Sequence, residues 1–95
     1  MSGGQTAVNG AASGLAEKLA AERIERALTK IERAQNLLYE AAAELSPIVG
    51  MVKQWERVGK LGDACKERWY SLKGDAQKKT YRVDEVNLAA AEGGR

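Results

Sequence analysis

The sequence predicts an all-α protein, an antiparallel hairpin of two long helices with coiled-coil-like heptads. Residues 15–45 contain no proline or glycine and are dense in Ala, Leu, Glu, Arg and Lys, which are strong helix formers. Ser46 and Pro47 then interrupt the pattern, because Ser is a favoured N-cap and Pro disfavours helical geometry in the residue before it. Apolar residues resume at helical spacing after Pro47. We therefore predict one helix at about 14–45 and a second at about 47–73.

Heptads in the first helix define the predicted seam of the hairpin. Large apolar side chains recur every seven residues at one heptad position, and alanines recur at a second position. This alternation of large and small residues lets a partner helix approach closely. The large set is Ile24, Ile31, Leu38 and Leu45, and the small set is Ala20, Ala27, Ala34 and Ala41.

The second helix continues the three-four spacing of apolar residues. Gly59 and Gly62 each disfavour a helix by about 1 kcal/mol relative to Ala. The heptad phase nevertheless continues across both, which favours one unbroken helix with Gly62 opposite a bulky residue such as Trp or Ile. Gly74 is predicted to end this helix. The seam positions are Ile48, Met51, Trp55, Val58, Gly62, Cys65, Trp69 and Leu72.

Both ends of the chain lack a long periodic pattern. Residues 1–13 are rich in Gly, Ser, Asn and Ala, and are predicted to form a flexible N-terminal arm. Residues 75–95 are predicted to be a linker and a weakly structured tail. Two structures fit this tail: a short extended segment at 80–86, or a short helical segment capped by Asp84 and reaching Ala91, which we favour. Residues 93–95 are predicted to be disordered.

Composition excludes several classes of function. The chain has no His and one cysteine, Cys65, so it offers no zinc site of His and Cys ligands, no disulfide within one chain and no Ser/His/Asp triad. We predict no catalytic residue, no metal and no cofactor. The first residues do not resemble a secretory signal, and no apolar run is long enough to span a bilayer, so we expect a cytoplasmic protein without membrane contact.

Several apolar residues flank the predicted seam and would remain in water in an isolated hairpin. Burying each of them is worth about 1.5–3 kcal/mol, a large amount beside a typical domain stability of about 5–15 kcal/mol. We therefore expect a homo-oligomer, most simply a dimer that forms a four-helix bundle. The predicted interface residues are Leu19, Leu28, Leu37, Val52 and Leu61.

The second half of the chain carries a basic surplus. Residues 53–82 contain nine Lys or Arg against four Asp or Glu, although the net charge of the whole chain is only +2. Aromatic residues lie among them, a combination that single-strand nucleic-acid binders use. Trp55 and Trp69 occupy seam positions, where packing is their expected role. The candidate nucleic-acid contacts are Lys66, Arg68, Tyr70, Lys73 and Tyr81.

Two functions follow from these patterns. The first is a non-enzymatic protein-protein interaction module: a small helical adaptor, inhibitor or regulator that binds itself and a protein partner whose identity the sequence does not give. The alternative is a nucleic-acid-binding protein that uses residues 53–82. We favour the first, because the heptads account for most apolar positions and the basic surplus is modest.

Overall fold

The described part of the chain folds into three helices. A computed structural model describes residues 3–79 and 81–93, with side chains from residue 14 onward. The helices are α1 (Gly3–Leu45), α2 (Val52–Lys78) and α3 (Glu85–Gly93). None of the described helices combines the length and the apolar character needed to cross a membrane.

Helices α1 and α2 pack against each other along their length and run in opposite directions. Near the turn, the Tyr39 hydroxyl on α1 donates a hydrogen bond to Asp63 on α2. Further from the turn, the earlier residue Ile24 lies beside the later residue Leu72. The predicted antiparallel helical hairpin is therefore confirmed.

Helix α1 starts earlier than the sequence predicts. It begins at Gly3, so it includes most of the segment predicted to be a flexible arm, while residues 1 and 2 lie outside the described residues. Extending an existing helix adds one hydrogen bond for each residue fixed, which is easier than nucleating a new one. The strong helix formers after residue 14 provide that nucleus.

The turn between α1 and α2 is longer than predicted, since α2 begins at Val52 instead of Pro47. Gly50 adopts a φ of +91°, a left-handed conformation that interrupts helical geometry and that glycine tolerates best. The Ser46 hydroxyl donates a hydrogen bond back to the Ala43 carbonyl and does not cap the second helix. Two backbone bonds, from Ile48 N–H to Leu45 and from Met51 N–H to Ile48, close the turn.

Helix α2 is continuous through Gly59 and Gly62, as the heptad phase predicts. Gly62 is buried, and the ring of Tyr39 lies against it: a Cβ placed at Gly62 would come within 2.7 Å of Tyr39 Cε1. The prediction of a bulky residue opposite Gly62 is confirmed, but that residue is Tyr39 and not the Trp or Ile that was expected. From Val58 onward, the predicted seam positions of α2 are half-buried or buried.

On α1, the centre of the seam is displaced by one residue from the predicted alanine column. Leu28 is only 3% exposed and Ala42 is also buried, whereas Ala41 is exposed. Leu28 lies four residues after Ile24 and three before Ile31, whereas Ala27 lies three after Ile24 and four before Ile31. Both residues therefore fit a heptad repeat equally well. The alanine column lies beside the α2 contact instead of in its centre.

The end of α2 also differs from the prediction. The helix passes through Gly74 and ends at Lys78, where Lys79 adopts a left-handed φ of 55° as the C-cap. Leu72 and Ala76 are half-buried, so the seam extends past Gly74. This packing outweighs the low helix propensity of one glycine, which is about 1 kcal/mol.

The short helix predicted near the C-terminus is present as α3, and it ends at Gly93. Asp84 caps it: the Asn87 N–H donates to Asp84 Oδ1 at 3.0 Å, and the Asn87 side-chain amide donates to Oδ2 at 2.9 Å. Helix α3 packs on α1, where Arg23 Nη1 lies 2.9 Å from Glu92 Oε2. Residues 94 and 95 of the tail predicted to be disordered lie outside the described residues.

Candidate interaction surface

An apolar groove runs between α1 and α2 on one side of the hairpin. It has a volume of about 610 Å³, and Ile31 and Leu38 form its α1 wall. The α2 wall is apolar in the centre and carries polar groups at its outer edge. Its residues are Leu61, Ala64, Cys65, Arg68, Ser71, Leu72 and Asp75.

Two exposed leucines lie in or near this groove. Leu61, in the α2 wall, is 55% exposed, and Leu37 on α1 is 58% exposed. Leu37 is not part of the groove wall, because Ala34 and Ala41 lie between it and Leu38 on the surface of α1. An open groove whose walls are largely apolar has the form of a helix-binding site.

Helix α3 lies at one end of the same side. Its residue Ala91 borders a hollow that it shares with Ala27 and Lys30 of α1 and Leu72 of α2. Its residue Glu92 accepts a salt bridge from Arg23, and Arg26 Nη2 lies 3.9 Å from the same carboxylate oxygen. Helix α3 therefore covers the first part of the α1 surface and leaves the part from Ile31 onward open.

The opposite side of the hairpin is more polar. There the hydrogen bond to Asp63 raises the pKa of Tyr39, with smaller effects from burial and from the negative charge of Asp63. Lys73 lies over the ring of Trp69, with Nζ 5.4 Å from the ring centroid, and Tyr70 packs edge-on against the same ring. These contacts hold the side chains on the polar side of the hairpin in place.

The raised pKa of Tyr39 predicts an alkaline response. Because the folded-state pKa lies above the unfolded value, the bond stabilises the fold below about pH 10 and is lost as the pH rises through the folded-state pKa. In a variant with Tyr70→Phe and Tyr81→Phe, only Tyr39 contributes tyrosinate absorbance. Adding Asp63→Asn should move its midpoint to lower pH. An unchanged midpoint would contradict the role of Asp63.

The five predicted interface residues occupy different environments. Leu37, Val52 and Leu61 are exposed, and Leu19 is half-buried. Leu28 was expected to remain in water in a single hairpin, but its side chain is buried within this chain. Three of the five predicted interface residues, Leu37, Val52 and Leu61, are therefore accessible to a partner.

The five candidate nucleic-acid contacts do not form one surface. Lys66, Tyr70 and Lys73 share one side of α2 at helical spacing, and Tyr70 is 62% exposed. Arg68 lies on the other side, where it lines the groove. Tyr81 is half-buried beside the first part of α1.

Comparison with known proteins gives no relative: no family model, no curated protein and no solved structure matches this chain. Its function must therefore be inferred from its own surface.

The turn carries an exposed apolar cluster that the periodicity did not predict. Val49 is 98% exposed, and Ile48 and Met51 beside it are also exposed although the heptad pattern assigned them to the seam. Trp55, in the first part of α2, is exposed too. The longer turn takes Ile48 and Met51 out of the helical phase, and only the residues from Val58 onward pack along α1.

Proposed function

We propose that this chain is a non-enzymatic protein-protein interaction module that assembles through its apolar groove, first of all with itself. The observation that carries this proposal is the open groove between Ile31 and Leu38 on one side and Leu61 on the other. A helix laid into it would cover residues that the single chain leaves in water.

The energetics of a single hairpin support the proposal. Among the described residues, no large side chain is completely buried. Leu37 and Leu61 are already partly covered within the chain, so burying the exposed remainder of each would contribute about 1–2 kcal/mol, which is appreciable beside a typical domain stability of about 5–15 kcal/mol. Assembly is therefore the most direct way for this short chain to complete a hydrophobic core.

A pair of glutamate substitutions on α2 tests the proposal. Leu61→Glu places a charge in the groove, whereas Tyr70→Glu places the same charge on a residue of similar exposure outside it. We expect light scattering at tens of micromolar to show an assembled wild-type chain, a monomeric Leu61→Glu variant and an assembled Tyr70→Glu variant. A wild-type mass of 10.3 kDa under these conditions would contradict the proposal.

A second candidate function, nucleic-acid binding, is supported by Lys66, Tyr70 and Lys73. These three residues give one side of α2 two positive charges and an exposed ring, which can neutralise phosphate and stack on a base. Phosphate contacts make affinity fall steeply with salt, whereas an apolar groove responds weakly. Anisotropy of a labelled single strand at rising salt, with wild type and a Lys66→Ser, Lys73→Ser variant, distinguishes the two functions.

A further inference from the structure

We propose that a second copy of this chain occupies the groove with the two α1 helices antiparallel, related by a two-fold axis that passes beside Leu37. This inference rests on the proposed function and specifies the surface and the register of the assembly.

The open side of α1 has the spacing of a helix-helix seam. Ala34, Leu37 and Ala41 lie at i, i+3 and i+7, and the two alanines lie between Leu37 and the groove residue Leu38 on the surface of α1. Alanines on both sides of a leucine allow two backbones to approach closely while the leucine fills the space between them. In a two-fold interface, Leu37 can pack against the same residue of the second copy.

Charges along this side of α1 are separated by sign. Lys30 and Arg33 lie before Leu37, and Glu40 and Glu44 lie after it. Glu40 and Glu44 are four residues apart, so they repel each other within one helix. In the described part of the chain, none of these four residues forms an ion pair, whereas Arg23 and Arg26 share Glu92 of α3.

Antiparallel pairing of two copies joins these opposite charges. With Leu37 beside Leu37, Lys30 lies level with Glu44, and Arg33 lies within one residue of the level of Glu40. The symmetry repeats both pairs at the other end of the interface. A parallel pairing would place each charge beside its own copy, so like charges would meet along the whole seam. The sequence of α1 is therefore complementary to itself only in the antiparallel arrangement.

The space left by α3 also matches this register. Ala91, near the end of α3, borders Ala27 and Lys30, and the groove is open from Ile31 onward. In the proposed register, the α1 helix of the second copy ends, at Leu45, near Thr29 of the first copy. The α1 helix of the second copy therefore ends close to the end of α3 of the first copy. These two helices would cover consecutive stretches of the same side of α1.

Charge reversal tests the register. The variant Glu40→Arg, Glu44→Arg places basic residues beside Lys30 and Arg33 of the second copy, so we expect its dissociation constant to rise at least about tenfold at low salt. The variant Lys30→Glu, Arg33→Glu should be weakened in the same way. An equimolar mixture of the two should regain assembly, because every basic cluster then meets an acidic one.

Single cysteines test the axis directly. In a Cys65→Ser background, Leu37→Cys should form a disulfide-linked dimer under mild oxidation, because residue 37 meets its own copy. Arg33→Cys should not link to itself but should link to Glu40→Cys in a mixture. Leu15→Cys, exposed on α1 but outside the groove, is the control for random collision.

The outcomes separate the inference from the proposed function. An assembled chain that is indifferent to both charge reversals, or in which Arg33→Cys links to itself as readily as Leu37→Cys, would overturn the antiparallel register and leave the interaction function standing. A wild-type chain that stays monomeric would overturn both.

Discussion

Replacing Gly62 by alanine should destabilise the protein relative to the same substitution at Gly59. The new Cβ would lie 2.7 Å from Cε1 and 2.9 Å from Cδ1 of Tyr39, distances that require a shift. The ring cannot move away without straining its hydrogen bond to Asp63. Overpacking of this kind costs about 1–3 kcal/mol, which opposes the gain of about 1 kcal/mol in helix propensity.

Gly59 is the matched control, because it lies in the same helix and a Cβ there would meet nothing within 4 Å. Gly59→Ala should therefore raise the free energy of unfolding by about 0.5–1 kcal/mol. We expect the two alanine variants to differ by about 1–3 kcal/mol in denaturant unfolding at equal protein concentration. Equal stabilisation by both would contradict the close contact at Gly62.

The partner of Gly62 can be identified by a double-mutant cycle. Tyr39→Leu removes the ring atoms that the new Cβ would meet, so Gly62→Ala should cost less in that background than in wild type. A coupling free energy of about 0.5–3 kcal/mol is typical for residues in contact. A coupling near zero would mean that Tyr39 is not the residue that restricts position 62.

Replacing Leu28 by alanine should produce the largest loss of stability from a single substitution. Leu28 has the lowest exposure among the described hydrophobic residues, at 3%. Truncation of a buried leucine removes its transfer free energy and leaves a cavity, with a typical cost of about 2–5 kcal/mol. For a small domain, this is a large part of the total stability.

Leu15→Ala provides the comparison for Leu28→Ala. Leu15 is on the same helix but is 61% exposed, so its truncation should change the free energy of unfolding by about 0.5 kcal/mol or less. Both variants should be unfolded at the same protein concentration, because assembly makes apparent stability depend on concentration. Similar losses at the two positions would contradict the burial of Leu28 within the hairpin.

The sequence was most informative where helix propensity and heptad spacing agreed. The run of strong helix formers before Ser46 identified α1, and the three-four spacing identified the seam of α2 from Val58 to Leu72. Asp84 identified the start of α3. Spacing alone did not decide whether Ala27 or Leu28 is the second seam position, because either residue fits between Ile24 and Ile31 in a seven-residue repeat.

The remaining features depend on contacts between residues distant in sequence. Gly74 could end a helix, but packing of Ala76 on the other helix extends α2 to Lys78. Ser46 and Pro47 indicated a sharp corner, whereas the left-handed Gly50 lengthens the turn and exposes Val49. The groove itself could not be predicted from spacing, because it depends on which side of α1 faces α2 and on where α3 packs.

Sedimentation equilibrium of the unmodified chain, over a concentration series at physiological salt, tests the central claim most directly. The proposed assembly through the groove predicts a mass that rises with concentration from 10.3 kDa toward twice that value, and levels off there. A mass that stays at 10.3 kDa up to hundreds of micromolar would contradict it.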